Sequence, residues 1–531
     1  MGEPPDQHTA EREHFFRATW VVAALTMLSR VLGLVRDMVI VPIGAPRLAD
    51  AFWTAFSVPN LLRRLFGEGA LSAAFVPVFT ETAETRGPER ARLVLANVAG
   101  LLAVVLAGLL AAGELGLAAW LATSPEADWR RLGQLTAVML PFMFTICLLA
   151  LGSAALNCKG RFAYPAAAPI LLNVGLIAAA CWLAPALTGS DEGRFFVIAA
   201  ALVVTGVAQV AGVVWLLGRA GLAVRPTLRP VLAEVRRIAA LMGPMLIPLS
   251  AVQFSAFADR IIAWVFTATP AHPHFPLAPG VVRCLYAANR LYQLPMGVLA
   301  ISVATAVFPL LSRYAARDDA AALRQTINRA LRLCLFLAVP AGVALIVLAE
   351  PLVAMIFQRR NFTAFDTARA TLVLQMYCLG MGAYFCNHIL LRAFFARKET
   401  RTPLRVACIL AAVNVALVLG GIFTPLRSGA IGAATALTST ANALILVIVL
   451  RRHLGRLGAR QILLSGARTL AASAGMLAAL LAVRAALPEA APWKLLAAAV
   501  PAGAAAFLAA AAALRCPELK ELLARSSSRA A

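Results

Sequence analysis

Charge is what this 531-residue chain has least of: 14% of its residues are charged against 61% hydrophobic, and its mean hydropathy is +0.81. Soluble domains carry about a quarter of their residues charged, so an ordinary soluble fold is excluded. Acidic residues are the scarcest class, 25 against 48 basic, which leaves a formal net charge of +23. No single soluble segment collects that excess, so it does not make a nucleic-acid-binding face and no nucleic-acid partner is expected. Metal and thiol chemistry lack their ligands. The nine cysteines stand singly, mostly inside apolar runs, as at Cys147, Cys181, Cys334, Cys378 and Cys408, and there is no CxxC. His272 and His274 form a His-Pro-His without carboxylate or thiol neighbours, which reads as loop. A membrane-embedded prenyl or glycosyl transferase would need paired aspartates at helical spacing to hold a diphosphate through magnesium. The adjacent pair Asp318 and Asp319 has no second cluster, so no catalytic site, metal or cofactor is expected. A short export-signal core is also missing. Residues 1–16 are polar and the apolar run after them is too long, so the first span is expected to be retained.

What the chain has is apolar runs near 20 residues long, the length that crosses a bilayer. About fourteen are predicted, near 17–43, 48–66, 92–122, 132–157, 165–186, 194–218, 235–267, 281–311, 328–357, 368–395, 403–423, 428–450, 463–484 and 493–514. The fold class expected is an all-α polytopic membrane protein. Basic residues fall in alternate loops, such as those with Arg86, Arg90 and Arg92, with Arg397, Lys398 and Arg401, and with Arg451, Arg452 and Arg456. That asymmetry predicts both termini in the cytoplasm. One outward loop, with Arg359, Arg360 and Arg369, fits poorly.

Two stretches recur in the same order. DAFWTAFSVPNLLRRLFGEGALSAAFVPVFTE at 50–81 matches CLYAANRLYQLPMGVLAISVATAVFPLLSR at 284–313 in its prolines, Pro59 and Pro77 against Pro295 and Pro309. NCKGRFAYPAAAPILLN at 157–173 matches ARKETRTPLRVACILAAVN at 396–414: basic loop, proline, apolar helix, then Asn173 or Asn414. Repeated lobes are the common basis of alternating access. The predicted organisation is a tail (1–16), an N-lobe of six spans (17–220), a C-lobe of six (221–455), two further spans (456–515) and a second tail (516–531).

Arg30 and Arg36 lie inside the first apolar stretch, Arg63 beyond Pro59 in the second, and Arg290 in an apolar run near mid-chain. An arginine at the centre of a membrane helix costs roughly 2.5 to 3.5 kcal/mol on insertion scales. Several of them imply a watery cavity built for an anion, hence a transporter. Arg30 and Asp37 share a helix face, with Arg36 about 120° away, so Asp37 is expected to hold one of the two. Snorkelling interfacial charge is the other reading of Arg36, Asp37 and Asp50, and one of Arg63 and Arg64 is expected to be an anchor. Asp259 and Arg260 form a second charged cluster. Asp259 either pairs with Arg260 or Arg290, or ligates a cation with Asn414 and Thr438 as oxygen partners. Pro59, Pro244, Pro248 and Pro295 are candidate hinges.

The stretch SRVLGLVRD at 29–37, followed by residues 50–81, closely resembles the MurJ/MviN family of lipid II flippases, in the multidrug/oligosaccharidyl-lipid/polysaccharide exporter superfamily. LNCKGRFAYPAAAPILLN, NRLYQLPMGVLAISVATAVFPLLS and FTAFDT extend the resemblance to about residue 450. It implies an inner-membrane protein that moves an undecaprenyl-diphosphate-linked disaccharide-peptide to the periplasmic leaflet, with lipid II, membrane lipid and the cell-wall synthesis machinery as partners. By family position Arg30, Arg36, Arg63 and Arg290 match the central-cavity arginines, and Asp50 and Glu68 match further charged positions. Guanidinium suits that cargo, since it binds phosphate oxygens in planar, bidentate fashion. Some family members also hold sodium on the helices of Asp259 and Asn414. Two departures stand out: Asn289 and Gln293 occupy positions where acidic residues are common, and no second carboxylate follows Asn414. Coupling to the membrane potential or to a monovalent cation is expected. A polysaccharide-lipid flippase fits the same chemistry, whereas a cation antiporter of the superfamily would call for acidic cavity residues.

Overall fold

The computed structural model describes residues 7–64, 71–123, 126–228 and 231–527; the candidate Glu68, with Gly67 and Gly69, lies outside the described residues. Regular structure among them is helical, apart from one isolated bridge between Thr267 and Leu277. Lipid imposes that choice, because a helix closes its backbone hydrogen bonds within one segment.

The chain divides into two compact units, Met1–Phe257 and Ala258–Ala531. The first contains α1 (Gln7–Ile40), α2 (Pro46–Leu62), α3 (Leu71–Thr85), α4 (Gly87–Thr123), α5 (Ala127–Met139), α6 (Phe142–Cys158), α7 (Ala163–Ala178), the single-turn α8 (Ala184–Leu187), α9 (Asp191–Arg219) and most of α10 (Ala233–Val265). Within it α1 packs on α7, α2 on α5, α6 on α9, and α3 on both α4 and α6. Phe75 and Phe79, stacked at 4.9 Å, fill its core with Leu95, Leu151, Leu156 and Val213. The apolar run expected at 48–66 is α2, and residues 71–85, assigned to no span from sequence, form α3.

The second unit begins inside α10. It continues with α11 (Val281–Pro295), a π-turn (Met296–Ala300), α12 (Ile301–Ala316), α13 (Ala320–Val347), α14 (Ala349–Phe357), α15 (Ala364–Leu379) and α16 (Met381–Ala396). Then come α17 (Arg401–Gly421), α18 (Gly429–Leu454), α19 (Ala459–Ala486), α20 (Pro492–Ala513) and α21 (Pro517–Ser527). Here α11 packs on α15, α15 on α18, α13 on α16 and α19, and α20 on α14 and α19. Lipid tails are as apolar as leucine, so close approach does the work that water exclusion does in soluble folds. At Gly432, on α18, an added Cβ would stand 2.8 Å from the carbonyl oxygen of Val373 on α15.

Ten helices among the described residues are long and apolar enough to cross a membrane. The other expected segments fall on α1, α2, α10 and the pair α15 and α16, two 16-residue helices parted at Gly380. Pro295 ends α11 at the π-turn, while Pro59 lies within α2 and positions 244 and 248 within the span of α10. The arginines that fit the loop-charge pattern poorly have structural work instead. Arg369 donates to the carbonyls of Ala278 (2.9 Å) and Pro279 (2.8 Å) and to Asp366 (2.5 Å). Arg359 donates to the carbonyls of Met355 and Ile356 at the end of α14, where a cation meets the negative end of the helix dipole.

Candidate functional site

In the first unit the charged pair of α1 is sealed. Arg36 and Asp37 are 5% and 0% exposed, so they are not snorkelling interfacial charges. Arg36 reaches Asp37 Oδ1 from Nη2 at 2.6 Å and from Nε at 3.0 Å, and its Nη1 donates to Asn173 Oδ1 on α7 at 3.2 Å. Asn173 in turn donates to the Ser29 carbonyl at 3.0 Å, tying α7 to α1. Asp37 therefore holds Arg36, the nearer of its two expected partners. Arg36 also faces the Phe56 ring at 6.0 Å. Asp50 is fully buried on α2.

Arg63, half-buried, donates from Nε and Nη2 to Asn60 Oδ1 one turn earlier, at 3.0 and 2.9 Å. Arg64 donates to Gln253 Oε1 on α10 at 3.0 Å, a tertiary contact within the first unit. Arg30 differs from all of these. It is half-buried on α1, and among the described residues it makes no hydrogen bond or ion pair.

The second unit assembles the other candidates. Asp259, Asn414 and Thr438 are each at least nine-tenths buried. Asn414 Nδ2 donates to Asp259 Oδ1 at 2.9 Å, and Thr438 donates to Asn414 Oδ1 at 3.3 Å. The three groups expected to gather oxygen ligands are thus brought together from α10, α17 and α18. The alternative ion pair is absent: among the described residues Asp259 lies within salt-bridge distance of neither Arg260 nor Arg290. Arg290 stands over the Tyr286 ring at 5.7 Å, and Gln293 donates to Asn289 one turn away, so the two amides that replace acidic residues bond to each other.

Asn173 and Asn414, paired by the sequence repeat, do equivalent work. Each binds the charged dipeptide near the end of the helix that opens its half, Arg36-Asp37 on α1 or Asp259-Arg260 on α10.

Sequence reasoning missed Arg283. It is 0% exposed on α11, its Nη2 donating to Asp366 Oδ2 at 2.8 Å and to the Asn361 carbonyl at 2.9 Å. The available signal was an arginine as deeply set in apolar sequence as Arg290, with FTAFDT as its counterpart. Also missed was Glu234, at the start of α10 outside the apolar run. Arg90 holds it through Nε (2.9 Å) and Nη2 (3.0 Å), and Arg86 adds a contact at 2.8 Å. These bonds, those of Arg90 first, pull its carboxyl down to about 2.

A family profile described as "Lipid II flippase MurJ" matches residues 41–497. The chain is 33% identical over 417 residues to a probable lipid II flippase MurJ of Vibrio cholerae serotype O1, covering 76% of each chain. It is 34% identical over 454 residues to the corresponding protein of Rhizobium meliloti strain 1021, covering 82% of this chain and 81% of that one. Its fold matches a solved lipid II flippase MurJ in an inward closed conformation with a TM-score of 0.73 at 22% identity, over 92% of this chain and 97% of the other. With sequence match and fold in agreement along nearly the whole length, the chain belongs to the MurJ family of lipid II flippases.

Proposed function

We propose that this chain moves lipid II, the undecaprenyl-diphosphate-linked disaccharide-peptide, from the cytoplasmic to the periplasmic leaflet of the inner membrane, with both termini in the cytoplasm. The polyprenyl tail stays in lipid throughout; the headgroup is the energetic problem, because two negative charges and many hydroxyls and amides must leave water. Arginines in a polar chamber open to one side and then the other replace that hydration. Arg30, Arg36, Arg63 and Arg290 bind the headgroup, with Asp37, Asp50 and Glu68 balancing them when the chamber is empty. For Arg36 this means exchanging Asp37 for phosphate. Two six-span lobes alternate access, and the helices at 456–515 line a groove for the tail. Asp259, Asn414 and Thr438 are the candidate site for a coupling monovalent cation, and the membrane potential is the other drive.

The observation that carries the reading is Arg30: a half-buried cation in an apolar helix whose donors no described residue engages, in a chain of this family. A guanidinium there must face water or an anion, and an anionic headgroup entering that water would meet unengaged donors. The test is complementation of cells depleted of their own flippase, reading lipid-linked precursor on the outer leaflet. This chain restores export; Arg30→Ala, Arg63→Ala and Arg290→Ala abolish it while still inserting. Arg30→Lys falls between, because it keeps charge without the bidentate fork. Full rescue by all three alanine variants would refute the assignment.

A further inference from the structure

The last helix, α21, does not trail away from its unit. It packs on α13 and α20, and Cys516 and Leu519, on either side of its start, join the apolar cluster that holds Phe336 of α13 and Phe507 of α20. Between them Glu518 is 1% exposed. Its Oε1 accepts from Ser465 Oγ on α19 at 2.8 Å and lies 3.5 Å from Arg332 Nη1 on α13. One turn further on, Arg329 of α13 donates from Nε to Glu521 Oε2 at 2.7 Å. Three hydroxyls lie along the buried stripe of α19. Thr469 and Ser473 bond back to carbonyls of their own helix, whereas Ser465 turns its hydroxyl to α21.

The same stretch of α13 holds the other end of the α19–α20 pair. Arg324 donates to the Leu454 carbonyl at 3.1 Å and Asn328 to the Leu457 carbonyl at 2.7 Å, where the chain passes from α18 into α19. Residues 324–332 of α13 thus secure both the entry into α19 and the exit from α20. At the far turn of the pair the tie is Arg484 to Glu350, exposed on both sides and screened by water. Apolar contact fixes membrane helices weakly, since lipid tails compete for the same surface. A carboxylate withdrawn from water must keep its partners, so Glu518 has one seat, and moving α19 or α20 off α13 unmakes it.

We propose that α21 is a strap that fixes α19 and α20 on α13, with Glu518 as its positioning residue, and that it thereby sets the groove for the polyprenyl tail. This rests on the reading of the helices at 456–515 as that groove. With the strap released, only a fraction of the molecules presents the groove, and apparent affinity for the tail falls by that fraction.

The full-length chain in lipid nanodiscs is titrated with lipid II and with an analogue that keeps the headgroup but carries a farnesyl chain in place of undecaprenyl. Amide hydrogen exchange over residues 518–522 reports whether the strap is seated. Glu518→Ala speeds that exchange and weakens lipid II binding about 10-fold, the loss of a hydrogen bond to a charged group, while the farnesyl analogue binds as it does to the native chain. Glu518→Gln still accepts from Ser465 and loses less. Ser465→Ala leaves Glu518 facing Arg332; it serves where Glu518→Ala does not fold and gives the same pattern in smaller measure. Faster exchange with native-like lipid II binding overturns the strap, as does unchanged exchange in Glu518→Ala and Ser465→Ala, and so does an equal loss for both probes, which would mean general damage. A native chain that binds the two probes equally sinks the groove reading instead, a result distinct from the others.

Discussion

Arg283 and Arg30 sit in similarly apolar sequence and meet different fates. Arg283 is paired with Asp366, 83 positions later, whereas among the described residues Arg30 makes no hydrogen bond or ion pair. Sequence places both cations in the apolar zone, but an ion pair is a matter of tertiary distance, and no local pattern announces it. The pairing has a measurable consequence. Asp366→Ala strands Arg283, 0% exposed, and also releases Arg369, so it should cost about 3 to 5 kcal/mol, the loss of one partner of a buried pair. Glu350→Ala breaks the pair with Arg484, in which the side chains are 57% and 44% exposed, and should cost at most about 1 kcal/mol. Denaturation of the purified protein in detergent ranks the two; equal losses would contradict the burial argument.

At the scale of elements, the N-terminal end of α10 is fastened to its own unit. Glu234 binds Arg90 and Arg86, Arg237 binds Glu81, and Asn97 on α4 holds the preceding segment through the Thr227 carbonyl and the Leu232 amide. A carboxyl whose folded value lies below its ordinary value near 4.5 stabilises fully above that value and loses the contribution as pH falls toward about 2. Melting temperature should therefore fall between about pH 4.5 and 2 more steeply in the native chain than in Glu234→Gln; parallel profiles would show that the clamp contributes nothing. Helix contact offers a second test. Gly432→Leu must push α18 from α15 and should cost about 1 to 3 kcal/mol through overpacking, read in the same denaturation assay. Apolar runs were legible because a bilayer sets their length. The π-turn after Pro295 and the helix α3 were not, since proline and glycine mark an interruption without stating its geometry.

For the molecule as a whole, the proposed drive by membrane potential requires that transport of a charged cargo depend on voltage. An anion crossing outward through an inside-negative membrane gains about 2.3 kcal/mol per charge per 100 mV of field traversed. In proteoliposomes, clamping the potential from −100 mV to zero should slow lipid II export by up to about 50-fold per charge carried through the full field. Equal rates at both potentials would mean that the charge is neutralised before it moves, with a co-ion or a rearranged carboxylate travelling alongside.

Composition and apolar periodicity were enough to specify a helical membrane chain, and to mark its arginines as anomalous, because each follows from the cost of placing a given side chain in lipid. Folding alone could say which anomalies are resolved within the protein. Arg36 closes on Asp37 and Asn173, and Arg283 on Asp366, while among the described residues Arg30 makes no hydrogen bond or ion pair. The physical reason is range: the desolvation cost of a charge belongs to its own position in the chain, but its relief depends on groups within about 3 Å, supplied by helices distant in sequence.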